Sequence, residues 1–386
     1  MRRFFITWFG IQLLCWLVLG LLFAPVVPGG WLAVLALAVL VTLPVRVLMR
    51  GFRGERYPGK GTRLFVLRPF WYTQLVLPLA GAAGVLGALV GALVGDAGAG
   101  GRTGVALLLA LALLGFGAGY VGARRLVVRR FVARSPLLPP AFEGVRVVQL
   151  SDLHIGPHTP KRRLARIARL VREARPDLVA ITGDMIDDHA PDVEEFVAGL
   201  GTFEAPLGVF AIAGNHDVYA GWIEVRRRFE AHGMDVVVNE ARAIARDGTR
   251  IALVGVGDPA GRGARGPDSP APDIDRALAD AARRVPDAGY VLALAHNPAL
   301  WPALAARGVA LTLSGHTHWG QLAVPGLGWS LASPFLEHAM GSYVEGTSVL
   351  YVHPGTGYWG LPFRLGTPAE IGIVTLSRGE AGFSVI

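Results

Sequence analysis

At 386 residues the chain has room for two or three domains, and with 52% hydrophobic and only 17% charged residues it is too apolar for an ordinary soluble protein. Its net charge of +8 suits an anionic membrane surface or a nucleic acid. The single cysteine, Cys15, excludes an intrachain disulfide framework and a cysteine-based metal site.

Four apolar segments come first: Phe4–Val27, Trp31–Leu48, Tyr72–Val94 and Val105–Val121. Each is near the ~17–25 residues that a helix needs to cross a bilayer. Any one of them is compatible with a buried core helix, but four in succession, nearly without charge, point to a membrane region. Pro44 and Arg46 fall near the end of the second, where Arg46 can snorkel to the interface. The loops give the orientation. Arg2 and Arg3 precede the first segment, and Arg50, Arg53, Arg56, Lys60, Arg63 and Arg68 lie between the second and third. Arg124, Arg125, Arg129, Arg130 and Arg134 follow the fourth, whereas the other two loops carry almost no charge. The positive-inside rule then puts both termini in the cytoplasm. Arg2-Arg3 also fits the start of a twin-arginine export signal, but three further segments follow the first. Gly87, Gly91 and Gly95, like Gly115 and Gly119, repeat every four residues, a spacing that lets helices approach closely. The segments lack a convincing buried acid or base, which favours an anchor over a transporter.

Ser135–Pro140 reads as a proline-rich connector. The expected organisation is a four-span anchor over 1–123, a basic linker over 124–143 and an α/β domain over 144–386. In that last region strands are expected at Val145–Leu150, Leu178–Thr182, Val209–Ala213, Val236–Val238 and Ile251–Val256. More follow at Tyr290–Ala295, Val309–Leu313, Ser348–Val352, Ile371–Leu376 and Phe383–Ile386. Thr159-Pro160 looks like an N-cap with proline at the first helical position, opening a helix that buries Leu164, Ile167 and Val171. The alternation of strands and helices argues for an α/β fold.

Polar residues cluster where the expected strands end. Asp152 and His154 follow the first strand, Gly183-Asp184 and Asp187 the second, and Gly214-Asn215-His216-Asp217 the third. His296 follows Tyr290–Ala295, and Ser314-Gly315-His316-Thr317-His318 follows Val309–Leu313. Ligands of open α/β sheets bind outside the carboxyl ends of the strands, so five such endings point to one shared site. Carboxylate, imidazole and amide oxygen without thiolate suit Mn²⁺, Fe or Zn²⁺. Seven candidate ligands exceed the needs of one ion; two ions about 3.5–4 Å apart would use them.

In this order, Asp-x-His, Gly-Asp-x-x-Asp, Gly-Asn-His-Asp, His and Gly-His-x-His, the motifs resemble the calcineurin-like metallophosphoesterase family. The run Gly315–Gln321 and the ending Pro362-Phe363-Arg364…Glu370-Ile371 look like its membrane-associated bacterial branch, with Trp319 in place of a glycine. The resemblance implies an αββα sandwich, here preceded by four transmembrane helices, and two divalent metal ions. It assigns Asp152, His154 and His318 to the first metal, Asp184 as the bridge, and Asn215, His296 and His316 to the second. His216 would be the general acid, with Asp187 expected to orient it. The implied activity is hydrolysis of a phosphate ester or pyrophosphate by metal-activated water. Some members of the wider group are pyrophosphatases for UDP-2,3-diacylglucosamine. His158, His189, His232, His338 and His353 have no place in the pattern and read as surface or structural.

The expected substrate is a lipid-linked or nucleotide-linked phosphate at the cytoplasmic leaflet of the inner (plasma) membrane, with the catalytic domain cytoplasmic. Trp319, Trp329, Leu331, Phe335 and Leu336 read either as acyl-chain contacts or as ordinary core. The basic face of Lys161–Arg175 reads either as resting on anionic lipid or as solvated. Nucleic acid is not the expected substrate, because membrane topology accounts for much of the arginine. A membrane scaffold or sensor that binds ligand without turnover is the alternative; a missing metal ligand would favour it, and none is missing.

Overall fold

The uncharged runs of Ala, Leu, Val and Gly at the N-terminal end become helices in the computed structural model, which describes residues 2–47, 58–264, 266 and 268–386. The chain divides into two compact units, Met1–Ala118 and Gly119–Ile386. The helices of the first are α1 (Arg2–Phe23), α2 (Gly30–Thr42), α3 (Arg68–Leu93) and α4 (Ala97–Arg124), the last running into the second unit. Among the described residues three stretches, Gly30–Val47, Lys60–Leu93 and Ala97–Arg124, are long and apolar enough to cross a bilayer. The expected count of four becomes three on these criteria, because Thr7–Phe23 is apolar but shorter. Arg50, Arg53 and Arg56 of the expected basic loop lie outside the described residues. Gly87 does what its spacing predicts: a Cβ there would lie 2.4 Å from the Gly100 carbonyl, so α3 and α4 pack backbone to backbone. Gly115 faces open space instead.

The second unit starts with a departure from the expected linker. Residues 124–143 contain the ten-residue strand β1 (Leu126–Ser135), which pairs in parallel with β14 (Ala369–Arg378) along its full length. Its alternation is masked by arginines: Phe131 and Ala133 enter the core while Arg130 and Arg134 stay exposed. Then come β2 (Arg146–Leu150), α5 (Lys161–Ala174), β3 (Leu178–Ile181), α6 (Val193–Leu200) and β4 (Val209–Ala211). Next are α7 (Asn215–Tyr219), α8 (Trp222–Ala231), β5 (Asp235–Val236), β6 (Glu240–Arg246) and β7 (Thr249–Val256). The strand expected at Val236–Val238 is the shorter β5, and β6 was not expected. After α9 (Ile274–Arg284) come β8 (Val291–Ala295), β9 (Leu311–Ser314), β10 (Ala323–Val324) and β11 (Trp329–Ser330). The chain closes with β12 (Gly341–Glu345), β13 (Ser348–Val352), β14 and β15 (Gly382–Val385).

One sheet has the order β15-β1-β14-β2-β3-β4-β5 and the other β12-β13-β9-β8-β7-β6, with β10-β11 a separate hairpin. Period-2 alternation gives each strand two buried faces. Val147, Leu178 and Ala180 of the first sheet meet Leu292, Leu294 and Leu313 of the second in a shared core. Val148, Val179 and Ile181 pack outward on Leu164, Ile167 and Val171 of α5 and on Phe196 and Phe229. Ala252 and Ala293 pack outward on Ala277 and Ala281 of α9. The layers are therefore helix, sheet, sheet, helix, as the motif resemblance implies. At the entrance to α5 the structure shifts one position: Pro160 is the N-cap, and the Thr159 hydroxyl accepts from the Gly156 N–H at 3.2 Å.

Candidate metal centre

Strands β2, β3 and β4 run parallel, as do β8 and β9, so their C-terminal ends share an edge within each sheet. Gln149 links the two edges. Buried between the sheets, its Nε2 donates to the Thr182 hydroxyl at 3.1 Å and to the Ser314 carbonyl at 3.0 Å. Gly315 permits the close approach that follows, since a Cβ there would lie 1.9 Å from Ser151 Oγ and 2.3 Å from Asp152 Oδ2. Asp152, His154, Asp184, His316 and His318 all adopt positive φ, between 44° and 70°. Such conformations cost about 1–3 kcal/mol each and persist only where the surroundings impose them. Hydrogen bonds hold these loops in place: the Asp152 N–H donates to the Gly183 carbonyl and the His154 N–H to the Asp184 carbonyl, each at 3.0 Å, the Asp152 carboxylate accepts the His316 N–H at 3.0 Å, and Asp184 Oδ1 accepts the His216 N–H at 2.8 Å.

All seven expected ligands come together. His154 Nε2 lies 3.0 Å from His318 Nε2 and 3.5 Å from Asp184 Oδ2, and His318 Nε2 lies 3.3 Å from Asp152 Oδ1. His296 Nε2 is 3.3 Å from Asp184 Oδ2 and 3.2 Å from Asn215 Oδ1, which in turn is 2.8 Å from His316 Nδ1. Asp152, His154 and His318 form one cluster whose ligand atoms lie within 4.8 Å of one another, and Asp152, Asp184 and His296 form another. His296 Nδ1 donates to the Thr182 carbonyl at 2.8 Å, which fixes the ring with Nε2 facing the oxygens of Asp184 and Asn215, where it carries a proton that a bound cation would replace. Buried lone pairs aimed at one another need either protons or cations between them, and oxygen plus imidazole is the donor set of hard to borderline divalent metals. The residues present fit such ions.

The electrostatics follow from burial and crowding. Burial pushes the Asp152 carboxyl up. It would raise Asp184 too, but the imidazoles of His296 and His154 hold that carboxyl well below the usual carboxylate range. Burial and His296 lower His316 to about 4, so its ring is neutral and free to coordinate at pH 7.

His216 lies beside this cluster, its ring centroid 4.7 Å from that of His154. Its Nδ1 faces the backbone carbonyl of Asp187 at 2.8 Å and the carboxylate of Asp188 at 2.9 Å. The Asp187 carboxylate lies 3.7 Å from His154 Nδ1 and also within 4.8 Å of the His216 ring nitrogen. Asp187 is the buried member of the pair and reaches His216 through its backbone carbonyl, while the exposed Asp188 supplies the carboxylate at hydrogen-bond distance, a division of roles that the Asp-Asp pair does not indicate in sequence. A second residue without an assigned role was present in the quoted motif. Asp217, fully buried, accepts from Met185, Ile186 and Gly214 N–H groups at 2.9–3.2 Å and ties the loops after β3 and β4 together. Arg364 is a third: buried, it donates to the carbonyls of Gly357 and Thr367 and lies 3.2 Å from His318 Nδ1.

The other histidines stay outside the cluster. His189 pairs with Asp192 and His232 with Glu194, while His338 packs on Trp301 and Tyr343. His353 is buried and accepts the Gly355 N–H at 2.9 Å; His158 lies 4.0 Å from Asp187. Of the apolar residues after the His pair, Trp319 is core: its indole N–H donates to the Val352 carbonyl at 2.9 Å while its backbone keeps φ at 52°, a region glycine adopts freely. Trp329, Leu331 and Phe335 are exposed.

Residues 145–320 match the profile of the family described as calcineurin-like phosphoesterase. A "transmembrane protein with metallophosphoesterase domain" from Danio rerio is 35% identical over 251 residues, covering 62% of this chain and 55% of its own length. An uncharacterized metallophosphoesterase from Helicobacter pylori (strain J99) is 31% identical over 268 residues, covering 69% of this chain and 68% of its own. Another, from Bacillus subtilis (strain 168), is 30% identical over 281 residues, covering 69% and 93%. The chain therefore spans about half of the fish relative and most of the Bacillus one.

Proposed function

The chain belongs to the calcineurin-like phosphoesterase family, and from that premise we propose that it is a membrane-anchored, dinuclear-metal phosphoesterase. The observation that carries this reading is the convergence of seven oxygen and imidazole side chains from five strand ends, with His216 beside them. Asp152, His154 and His318 would hold one divalent ion, Asn215, His296 and His316 the other, and Asp184 both. Bound there, two cations would neutralise charge on the phosphate oxygens and bring a water towards hydroxide near neutral pH. His216 holds a proton for the departing ester oxygen, with Asp188 and the Asp187 carbonyl fixing its ring through Nδ1 so that Nε2 is the atom left to donate.

The three long apolar helices and the fish relative's name support membrane attachment. The arginines after α4 support a catalytic domain on the cytoplasmic side of the plasma membrane. The substrate on this reading is a phosphate ester or pyrophosphate linked to a lipid or nucleotide, with UDP-2,3-diacylglucosamine as one candidate. The test is hydrolysis of an aryl phosphate ester by the full chain, with Mn²⁺, Fe²⁺ or Zn²⁺ added, followed by comparison of UDP-diacylglucosamine, phospholipid and cyclic nucleotide. No turnover with any metal, and no metal bound by the purified protein, would overturn it.

A further inference from the structure

From Trp319 to Leu336 the chain carries no charged side chain. Trp319 goes into the core, but Leu327 and Phe335 are each 80% exposed, and Val324, Trp329 and Leu331 are exposed with them. Apolar side chains displayed together on one short segment mark a surface that something else covers.

What the segment is fastened to identifies the cover. Strands β10 and β11 pair Ala323 with Ser330 and Val324 with Trp329, with Leu327 in the turn between them. At the hairpin base the Ala323 N–H donates to the Leu365 carbonyl at 3.0 Å, and the Leu365 N–H to the Gln321 carbonyl at 2.9 Å. The neighbouring Arg364 N–H donates to the carbonyl of Gly119, in the last turns of α4, at 2.9 Å. Gly119 has room for this only without a side chain, since a Cβ would lie 2.1 Å from the Phe363 ring. Helix α5 is tied to the same helix end and to the strand that follows it: Arg163 donates to the Ala123 carbonyl at 2.8 Å and Arg166 to the carbonyl of Leu126, the first residue of β1, at 3.3 Å. Around it Arg124, Arg125, Lys161 and Arg162 are exposed.

We propose that the hairpin and the turn after it, through Phe335, dip into the acyl-chain boundary of the bilayer that carries α4, with those cations at headgroup depth. This rests on the reading above that α4 spans a membrane. An uncharged Leu, Phe and Trp surface beside exposed Arg and Lys is the composition of an interfacial anchor, with tryptophan at the headgroups and cations drawn to anionic lipid. The same base reaches the metal centre. The Gln321 amide accepts from and donates to the Trp359 backbone at 3.0 and 3.1 Å, and the Trp359 ring centroid lies 6.0 Å from that of His216. Docking the hairpin therefore brings the rim of the metal site to the lipid surface.

The test uses the full chain in nanodiscs of phosphatidylglycerol and phosphatidylcholine, with Cys15→Ser as background and one nitroxide per variant. Leu327→Cys carries the probe; Leu113→Cys on α4 reports lipid, and Asp247→Cys in the exposed turn between β6 and β7 reports water. Power saturation with oxygen and a nickel chelate should give a severalfold higher oxygen-to-nickel ratio at position 327 than at 247, close to that at 113. A lipid-like ratio at 113 with a water-like ratio at 327 overturns the hairpin docking and leaves the spanning helix intact. A water-like ratio at 113 overturns the spanning reading, and the docking with it. Phe335→Cys repeats the measurement should Leu327→Cys fail to fold.

Discussion

Gly315→Ala tests how the metal centre is assembled. The added Cβ would sit 1.9 Å from Ser151 Oγ and 2.3 Å from Asp152 Oδ2, whereas ordinary contact begins at 3.4 Å. Relieving the overlap needs movements of about 1.5 Å and about 1.1 Å, taken from those distances. Both neighbours are fully buried, Ser151 Oγ donating to the Thr182 carbonyl and Asp152 accepting the His316 N–H. Neither has a free direction in which to retreat. Overpacking of this kind costs about 1–3 kcal/mol of stability, and misplacing a reacting group by about 1 Å costs on the order of 100-fold in rate. Expected results are a chain that folds by circular dichroism with a lower Tm, binds less metal by mass spectrometry, and hydrolyses aryl phosphate about 100-fold more slowly. Full metal content with wild-type turnover would refute the reasoning, because it would mean that the loop holding His316 and His318 can move away from Asp152 without consequence.

Other substitutions probe the parts separately. His318→Ala and His316→Ala should each weaken a different ion in metal titrations; loss of the same ion from both would break the assignment. His216→Ala should slow turnover by about 10²–10⁴-fold, with a smaller loss for aryl phosphates whose leaving group needs no proton; an equal loss across leaving groups would remove His216 from proton donation. Asp188→Asn should slow turnover without changing metal content, since its carboxylate bonds to His216, which is outside the seven expected ligands, whereas Asp187→Asn should leave the His216 contact through the Asp187 carbonyl intact. Glu370 supplies a pH dependence. Burial raises it from 4.5 to about 7, against the Tyr351 hydroxyl and the cations of Arg129 and Arg364. The folded chain therefore holds that proton more tightly than the unfolded one, and the stability this brings is full below pH 4.5 and lost as pH rises through 7. At about 1.4 kcal/mol per unit the window is worth about 3 kcal/mol, so the Tm of Glu370→Gln should gain on wild type between pH 5 and pH 8; parallel curves would contradict it.

Much of the site was legible because its chemistry is local. Asp-x-His, Gly-Asp and Gly-His-x-His each sit at the end of one strand, and parallel strands put their C-terminal ends on one edge whatever the exact register. Asp188 was not legible, because choosing between two adjacent carboxylates requires the path of the loop after β3. Strand β1 was hidden for another reason. Arg130 and Arg134 occupy its exposed positions and Arg129 pairs with buried Glu370, and read without the neighbouring β14 these arginines looked like a basic linker.

The sequence by itself determined the composition of the two regions, most of the strands that lead into the site and the polar residues that follow them, since hydrophobic runs, period-2 alternation and polar strand ends are properties of consecutive residues. Tertiary structure alone decided what those residues touch. It took the packing of two sheets around Gln149 to bring His316 and His318 against Asp152, and a chain of hydrogen bonds through Leu365 and Arg364 to set the uncharged hairpin beside the end of α4. In sequence Trp319 and Phe335 belong to the same apolar run; only the fold sends the first into the core and leaves the second on the surface.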